Sequence, residues 1–202
     1  MPTNTRVRLL ETAGDLFYRH GFQAVGLDQV LTEVGITKTA FYKHFESKDD
    51  LIVAVLDQRD RADVAEAIAE MRKRGGDDPK ARVLAFFDLL GEWFAQPEFR
   101  GCLFMNAATE FPWPNHPIHQ AAAAHARNLS AEIAKPLTEA GLAEPSRLAT
   151  QVMLLVSGAI AARHTAGQND AAAAARTAAE MLLNNHLPKA RKTSKRGVPA
   201  RR

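Results

Sequence analysis

The sequence is most restrictive in what it lacks: it has one cysteine, no long apolar run and no aromatic residue after Trp113. A single cysteine, Cys102, excludes an intramolecular disulfide and agrees with a reducing compartment. No apolar stretch approaches the ~20 residues that span a bilayer, and the N-terminus lacks a signal-peptide apolar region. We therefore expect a cytoplasmic protein without a membrane partner.

Sequence patterns of common enzymes are also missing. The chain contains no glycine-rich phosphate loop, no HExxH motif and no recognisable order of a catalytic triad. We therefore predict no catalytic residue and no cofactor, and we expect that the protein is not an enzyme.

The basic isoelectric point of about 9.2 comes largely from one end of the chain. Residues 189–202 hold seven Lys/Arg and no acid, and without those seven charges the formal net charge falls from +3 to −4. Residues 1–50 carry six Lys/Arg against seven Asp/Glu. We predict that residues 189–202 are disordered. This tail either attracts nucleic acid without sequence preference or simply aids solubility, and the sequence does not decide between the two.

What the sequence does contain is helix punctuation. Apolar spacing, glycines and prolines predict an all-α fold of about nine helices, and no β-alternation competes with this interpretation. The predicted helices cover residues 5–20, 28–34, a short stretch after 37, 48–74, 79 to before 97, 101–111, from after the loop 112–117 to 140 (kinked by Pro136), 145–165 and 170–186.

The stretch from Gly35 to Leu51 is the most informative part of the chain. Gly35 can adopt the left-handed conformation that ends a helix, and Thr37 can cap the next one. Phe41 and Phe45 are four residues apart, so they share the buried face of that helix. Ser47 and Asp50 resemble a capping box that starts a further helix. Helix, short turn and helix predict a helix-turn-helix element, in which the second helix enters the major groove, although a purely structural hairpin gives the same pattern.

This segment resembles the N-terminal domain of the tetracycline-repressor-like (TetR/AcrR) family. The resemblance rests on several spaced identities: Gly21-Phe22, Gly35-Ile36-Thr37-Lys38, Phe41-Tyr42, His44-Phe45, Lys48 and Leu51. It implies a helix-turn-helix DNA-binding head (residues 1–46) and a helical ligand-binding and dimerisation domain (residues 47–188, with 47–74 as the connecting helix). It further implies a homodimeric repressor that binds a palindromic operator and is released by a small ligand.

The resemblance also implies which residues contact double-stranded DNA. Bases or their edges would face Lys38, Thr39, Ala40 and Lys43, next to the cap residue Thr37. Phosphates would be held by Tyr42, His44 and Lys48, with Arg6 near the backbone or minor groove. Thr39 and Ala40 stand where the family often has Gly and Thr, so the operator sequence cannot be taken from a relative. Val25 and Gly26 replace hydroxyl residues that commonly cap the second helix, which puts that phosphate contact in doubt.

The second cluster of aromatic residues lies between Phe86 and Trp113 and has two interpretations. It is either ordinary core packing or the wall of a mostly apolar ligand pocket, which the resembled family's C-terminal domain commonly contains. Few charged residues lie near it in sequence, which favours a hydrophobic or aromatic effector over a polyanion. The predicted ligand-binding residues are Phe86, Phe87, Leu90, Phe94, Cys102, Met105, Phe111, Trp113 and His119.

The last two helices carry apolar stripes that predict either a buried pair within the chain or a dimer interface. In the resembled family these helices form a four-helix bundle with their symmetry mates. The predicted interface residues are Leu148, Val152, Leu155, Val156, Ala159, Ala175, Ala178 and Leu182.

Three alternatives remain open at this point. Cys102 could sense oxidants or electrophiles, because Arg100 and a helix start near Gly101 could favour its thiolate. His116, His119 and His125 could bind a metal, although their spacing places only some of them on one helical face. The chain could also be a helical ligand-binding protein or metal-assisted enzyme that does not bind DNA.

Overall fold

The structure is a computed structural model that describes residues 4–186. Within that range the chain forms nine helices and no strand, as the sequence predicts. The helices are α1 (Thr5–His20), α2 (Leu27–Val34), α3 (Lys38–Phe41), α4 (Lys48–Gly75), α5 (Pro79–Phe94), α6 (Leu103–Glu110), α7 (Pro117–Glu139), α8 (Pro145–Ala166) and α9 (Ala171–His186). The predicted disordered tail, residues 189–202, lies outside the described residues.

The helix starts follow from the capping residues. The Ser47 hydroxyl accepts a hydrogen bond from the Asp50 amide at 3.1 Å, which caps α4 as predicted. The Asp78 carboxylate accepts from the Lys80 amide at 2.9 Å, and Pro79 takes the first position of α5. Pro136 lies in the last turn of α7 and lacks the amide that would bond to the carbonyl of Glu132, and the kink expected there stays a prediction.

Two apolar clusters hold the chain together. The border between them does not coincide with the domain boundary predicted at residue 46. The head cluster joins α1 to α3 with the first turns of α4, with α6 and with the start of α7; its largest members are Phe17, Phe22, Phe41, Phe45, Phe104 and Phe111. The C-terminal cluster joins α5, α7, α8 and α9 with Met71 of α4; its members include Phe86, Phe87, Leu90, Ile133, Val152 and Leu183. Helix α6 belongs in sequence to the predicted C-terminal domain (residues 47–188), but it packs with the head. The packing of the helices therefore does not divide at residue 46.

None of the helices within residues 4–186 combines the length and apolarity needed to cross a membrane.

Candidate nucleic-acid interface and ligand cavity

The turn between α2 and α3 forms as the sequence predicts. Gly35 adopts φ 72° and ψ 44°, a left-handed conformation that suits glycine, and its amide donates to the carbonyls of Leu31 and Thr32. The Thr37 hydroxyl accepts from the Ala40 amide at 3.2 Å, which caps α3. Helix α3 is a single turn, and the next residues continue as hydrogen-bonded turns.

One face of this segment is anchored and the other is free. Phe41 and Phe45 are buried, with ring centroids 5.7 Å apart, so they fix α3 onto the head cluster. Thr39, Lys43 and His44 are exposed, and so is 57% of Tyr42, whereas Ala40 is half-buried. The exposed face therefore offers a hydroxyl, a phenol, an imidazole and an ammonium group, which are the donors that phosphate and base-edge contacts use.

Two further predicted DNA-binding cations have partners within the head. The Lys38 ammonium lies 2.8 Å from Asp28, and this hydrogen bond raises the pKa of Lys38. Both side chains are largely exposed, and such surface pairs contribute about 0–1 kcal/mol, so Lys38 can exchange Asp28 for a phosphate. The Arg6 guanidinium lies 5.2 Å from the centre of the Phe45 ring, which places it beside the C-terminal end of the α3 segment.

The contact of Lys48 with a phosphate stays a prediction, and in the structure this side chain has a partner within the head. Its ammonium donates a hydrogen bond at 2.6 Å to the carbonyl of Phe22, in the loop that follows α1. Partial burial lowers the pKa of Lys48, as expected for an ammonium drawn away from water. This side chain therefore connects α4 to the head.

The same loop is held from its other side by α6. The Glu110 carboxylate accepts hydrogen bonds from the amides of Phe22 at 3.0 Å and Gln23 at 2.7 Å. Gly21 permits this approach, because a Cβ there would lie 3.2 Å from the carboxylate and the residue's φ is 87°. We call this arrangement of Glu110, Lys48, Phe22 and Gln23 the clasp. Sequence reasoning missed it, because its partners are nearly ninety residues apart.

A cavity of about 600 Å³ lies between α4, α5, α6, α7 and α8. This volume lies within the range of about 300–1,000 Å³ that is usual for small-molecule sites. Buried apolar side chains form its inner wall, and these include Phe86, Leu90, Phe104, Leu129, Val156 and Ile160. Exposed residues form its mouth, among them Arg59, Glu66, Gln96, Glu98 and Met105.

The cavity contains four of the nine predicted ligand-binding residues: Phe86, Leu90, Cys102 and Met105. Phe87 is next to Phe86, and successive helical residues point about 100° apart, so its ring enters the core instead. Phe94 is also buried, against Phe99 with ring centroids 5.2 Å apart.

The other three predicted ligand-binding residues lie beyond the end of α6, away from the cavity. Phe111 packs on Phe22 in the head cluster, with centroids 6.2 Å apart. Trp113 is 73% exposed in the loop before α7. The His119 ring bonds to the Phe111 carbonyl at 2.8 Å. The aromatic spacing in the sequence could not reveal this, because the loop after Glu110 turns these side chains back toward the head.

Polar lining residues from α4 and α7 were not predicted. Asp63, Glu66 and His125 line the cavity. The His125 ring bonds to the Asp60 carboxylate at 2.8 Å and stacks on Phe104 with centroids 3.6 Å apart. The signal available in the sequence was the spacing of Asp60, Asp63 and Glu66 by three residues, which places them near one face of α4.

Cys102 lines the cavity, but its environment does not favour a thiolate. Burial raises the pKa of the Cys102 thiol, and this effect outweighs hydrogen bonds from the amides of Met105 and Phe104 that would lower it. The Arg100 guanidinium, which the sequence suggested as an activating charge, donates instead to the carbonyls of Pro97 and Phe99.

The three histidines considered as a metal set have separate partners. His116 accepts from the Ile118 amide and caps α7, His119 bonds to a carbonyl, and His125 bonds to Asp60. In the part of the chain that the structure describes, no three His, Cys, Asp or Glu side chains form a group that could hold a metal ion.

The predicted dimer residues lie mainly inside the protomer. Leu148, Val152, Val156, Ala159 and Ala175 are buried in the C-terminal cluster, so a partner subunit cannot reach their side chains. Leu155, Ala178 and Leu182 are half-buried. The predicted stripe is therefore chiefly the intrachain contact of α8 and α9. Leu154 on α8 and Met181 on α9 are 68% and 63% exposed, and they mark the outer face of the pair.

Comparisons with known families agree on both parts of the chain. The family model described as "Bacterial regulatory proteins, tetR family" matches residues 9–55. A second, described as "Tetracyclin repressor-like, C-terminal domain", matches residues 79–179. Among solved structures, SCO4454, a TetR-family transcriptional regulator from Streptomyces coelicolor, is 31% identical with a TM-score of 0.80, and the match covers 90% of this chain and 95% of that one.

Two further relatives share shorter stretches. The HTH-type transcriptional repressor NemR of Escherichia coli is 30% identical over 108 residues, which is 53% of this chain and 54% of NemR. The HTH-type transcriptional activator FasR of Mycolicibacterium smegmatis is 33% identical over 88 residues, 42% of this chain and 40% of FasR. The chain thus spans about half the length of these curated relatives or less.

Proposed function

Because the chain belongs to the tetR family of bacterial regulatory proteins, we propose that it is a homodimeric transcriptional repressor released from a palindromic operator by a small apolar ligand. One observation carries the ligand-responsive part of this proposal. Helices α4 and α6 both line the cavity, and both hold the Phe22-Gln23 loop of the head through the clasp. We expect the protein to act in the cytoplasm, where its DNA lies.

The reading surface proposed is the exposed face of α3 and the turn after it. Tyr42, Lys43 and His44 would contact phosphates or base edges and fix the register of the head on the duplex. Thr39 is exposed near the start of α3 and, unlike Lys38, has no charged partner in the head to exchange, so it would contribute most to sequence preference. Lys48 is left out of this surface, since it serves the clasp.

Two heads on one palindrome require a dimer whose reading helices are about 34–36 Å apart, or a multiple of that distance. We place the dimer contact on the outer face of α8 and α9, centred on Leu154 and Met181, because these are large apolar side chains left exposed by the protomer. Replacing both by Glu should give a monomer in sedimentation analysis. Trp113→Glu, which changes an equally exposed apolar residue outside these helices, should leave the dimer intact.

Release by ligand would use the clasp. A molecule that enters the cavity pushes on α4 and α6, and because these helices grip one loop, their relative movement tilts the head. The tilt changes the distance between the two heads and lowers affinity for a fixed operator spacing. A ligand achieves this only if it prefers the tilted state, and DNA then weakens ligand binding by the same factor.

Selection of duplexes from a random pool tests the proposal most broadly. We expect palindromic sequences with half-sites one helical turn or a multiple apart. Tyr42→Ala and Lys43→Ala should weaken all duplexes alike, whereas a change at Thr39 should shift the preferred sequence. Lys135→Ala, an exposed cation on α7, is the control and should have no effect. Failure to select any sequence would refute the proposal.

A second candidate function is sensing of electrophiles through Cys102, because its thiol lines the cavity that the ligand would enter. NemR, which is 24% identical over 87% of this chain with a TM-score of 0.79, has been solved in a reduced form. The raised pKa of Cys102 makes the thiol a slow nucleophile at neutral pH. Cys102→Ser should abolish release by an electrophile such as N-ethylmaleimide if this candidate is correct, and duplex affinity without the reagent should not change.

A further inference from the structure

The charge of the cavity lining is strongly unequal in sign. Among residues 4–186, which the structure describes, the lining includes the acidic residues Asp63, Glu66, Glu92 and Glu98 and one basic residue, Arg59. One carboxylate is already neutralised from outside, since Arg74 lies 2.6 Å from Glu92. The remaining groups still leave an excess of negative charge around an otherwise apolar space.

Arg59 compensates this excess only weakly. Its guanidinium lies 3.4 Å from the Asp63 carboxylate, and 60% of the Arg59 side chain is exposed. Water therefore screens the pair. A second nearby group, His125, already pairs with Asp60 at 2.8 Å, so that carboxylate balances any positive charge on the ring. Neither group provides a free cation for an anionic ligand.

Asp63 is the carboxylate best placed to act on a ligand. Its side chain is 36% exposed on α4, between the mouth of the cavity and the apolar wall. Burial raises the pKa of Asp63 and outweighs the charges of Arg59 and His125, which lower it, while the carboxylates of Glu66 and Asp60 add to the rise. The ionised form is therefore partly withdrawn from water and paired across a solvent-screened contact with Arg59, so a cation inside the cavity would stabilise it.

Aromatic residues line the same cavity. Phe86 and Trp93 of α5 and Tyr18 of α1 contribute to the wall, and none of them is paired face to face with another ring. The negative faces of such rings attract cations, by about 0.5–2 kcal/mol each depending on desolvation. The aromatic rings and the carboxylates therefore both favour a positively charged ligand.

We infer that the cavity binds an apolar organic cation, with Asp63 as the residue that selects positive charge and the α5 aromatic side chains as its apolar wall. This inference rests on the proposed function in one respect, the assignment of the cavity as the effector site. A neutral ligand would leave the excess carboxylates without a counter-charge. An anionic ligand would face them directly, with only the screened Arg59 in its favour.

A pair of probes with nearly the same shape and opposite charge tests the inference. We would titrate the full chain, without DNA, with tetraphenylphosphonium and with tetraphenylborate in a calorimeter. The phosphonium should bind at least about tenfold more tightly than the borate. Equal affinities, a preference for the borate, or failure of both probes to bind would overturn the inference.

A matched pair of variants locates the charge preference. Asp63→Asn should weaken the phosphonium by about tenfold and should not weaken the borate. Asp57→Asn makes the same change on the same helix, at an exposed residue outside the lining, and should leave both affinities unchanged. Equal effects of the two variants would contradict the assignment to Asp63. The ratio of the two probes in the unmodified chain stays informative even if Asp63→Asn folds poorly.

The outcomes also separate this inference from the proposed function. A chain that prefers the phosphonium but binds no selected duplex would refute the proposed repressor and leave the cation site standing. A chain that binds duplexes and shows no preference between the probes would refute the cation site alone.

Discussion

The two apolar clusters of this protein differ in how completely they are filled. In the head cluster, Phe17, Phe22, Phe41 and Phe45 are at most 3% exposed and none of them lines the cavity. This cluster also reaches the cavity, through Leu103 and Phe104 of α6 and Ala122 of α7. In the C-terminal cluster, Phe86, Leu90 and Ile160 are equally part of the core but border about 600 Å³ of open space.

Because of this difference, we expect the two clusters to differ in rigidity. A densely packed core transmits movement as a rigid body, so the head holds the geometry of its reading surface. A core that borders a cavity can change when the cavity is filled. Helix α6 belongs to the head cluster on one side and lines the cavity on the other, which makes it the element where the two properties meet.

The largest effect is expected in the head. Phe22→Ala removes a fully buried ring from a filled core and should lower the free energy of unfolding by about 3–5 kcal/mol, with loss of duplex binding. Urea denaturation followed by circular dichroism measures the change. A loss below about 1 kcal/mol would show that the head is not as well packed as we describe.

Two adjacent phenylalanines on α5 compare a ring that borders the cavity with a ring that the core surrounds. Phe87→Ala should cost about 3–5 kcal/mol, because the ring is surrounded by core. Phe86→Ala should cost only about 2 kcal/mol, because part of that ring already faces the cavity. The same denaturation experiment compares the two, and equal losses would argue against an open cavity at Phe86.

Removal of the clasp should have an intermediate effect. Glu110→Ala leaves the Phe22 and Gln23 amides without this acceptor and should cost about 1–3 kcal/mol. Amide hydrogen exchange should accelerate at these two residues. Glu98→Ala, an exposed carboxylate in the loop before α6, is the control and should change neither quantity.

The smallest effect concerns the pH dependence at Asp63. Its raised pKa in the folded state means that ionisation costs stability, so this cost is absent in acid and appears as pH rises through the folded pKa. Asp63→Asn removes it and should leave stability at pH 7 unchanged or raised by up to about 0.5 kcal/mol. Stability curves at pH 4 and pH 7 measure the change. A clear loss at pH 7 would mean that the pair with Arg59 outweighs burial.

The helices and their caps were predictable because their signals are local. Gly35, Thr37, Ser47 and Asp78 each set a boundary through hydrogen bonds to residues within four positions along the chain. The fold and the reading segment follow from such signals and from the family resemblance. The short length of α3 was not predicted in detail, since turns continue its hydrogen bonding without a sharp end.

The cavity and the proposed dimer face were less predictable because they depend on helix rotation. The sequence shows where the aromatic residues cluster. It does not show that Phe86 lines the cavity while the adjacent Phe87 points into the core, or that Trp113 lies in a loop. Likewise, the most apolar stripe of α8 packs within its own protomer, so the apolar spacing in the sequence does not single out the exposed Leu154. The clasp depends on a contact between residues 22 and 110, for which a single sequence carries no signal.

The central claim is that filling the cavity weakens DNA binding by the head. Ala123→Phe on α7 places a ring in the cavity without altering α4, α6 or the head, and Ala131→Phe adds the same ring at an exposed position of the same helix. We would titrate a duplex selected from the random pool with both variants. We expect that Ala123→Phe binds at least about fivefold more weakly than the unmodified chain and that Ala131→Phe binds equally well. Equal affinity of all three proteins would contradict it.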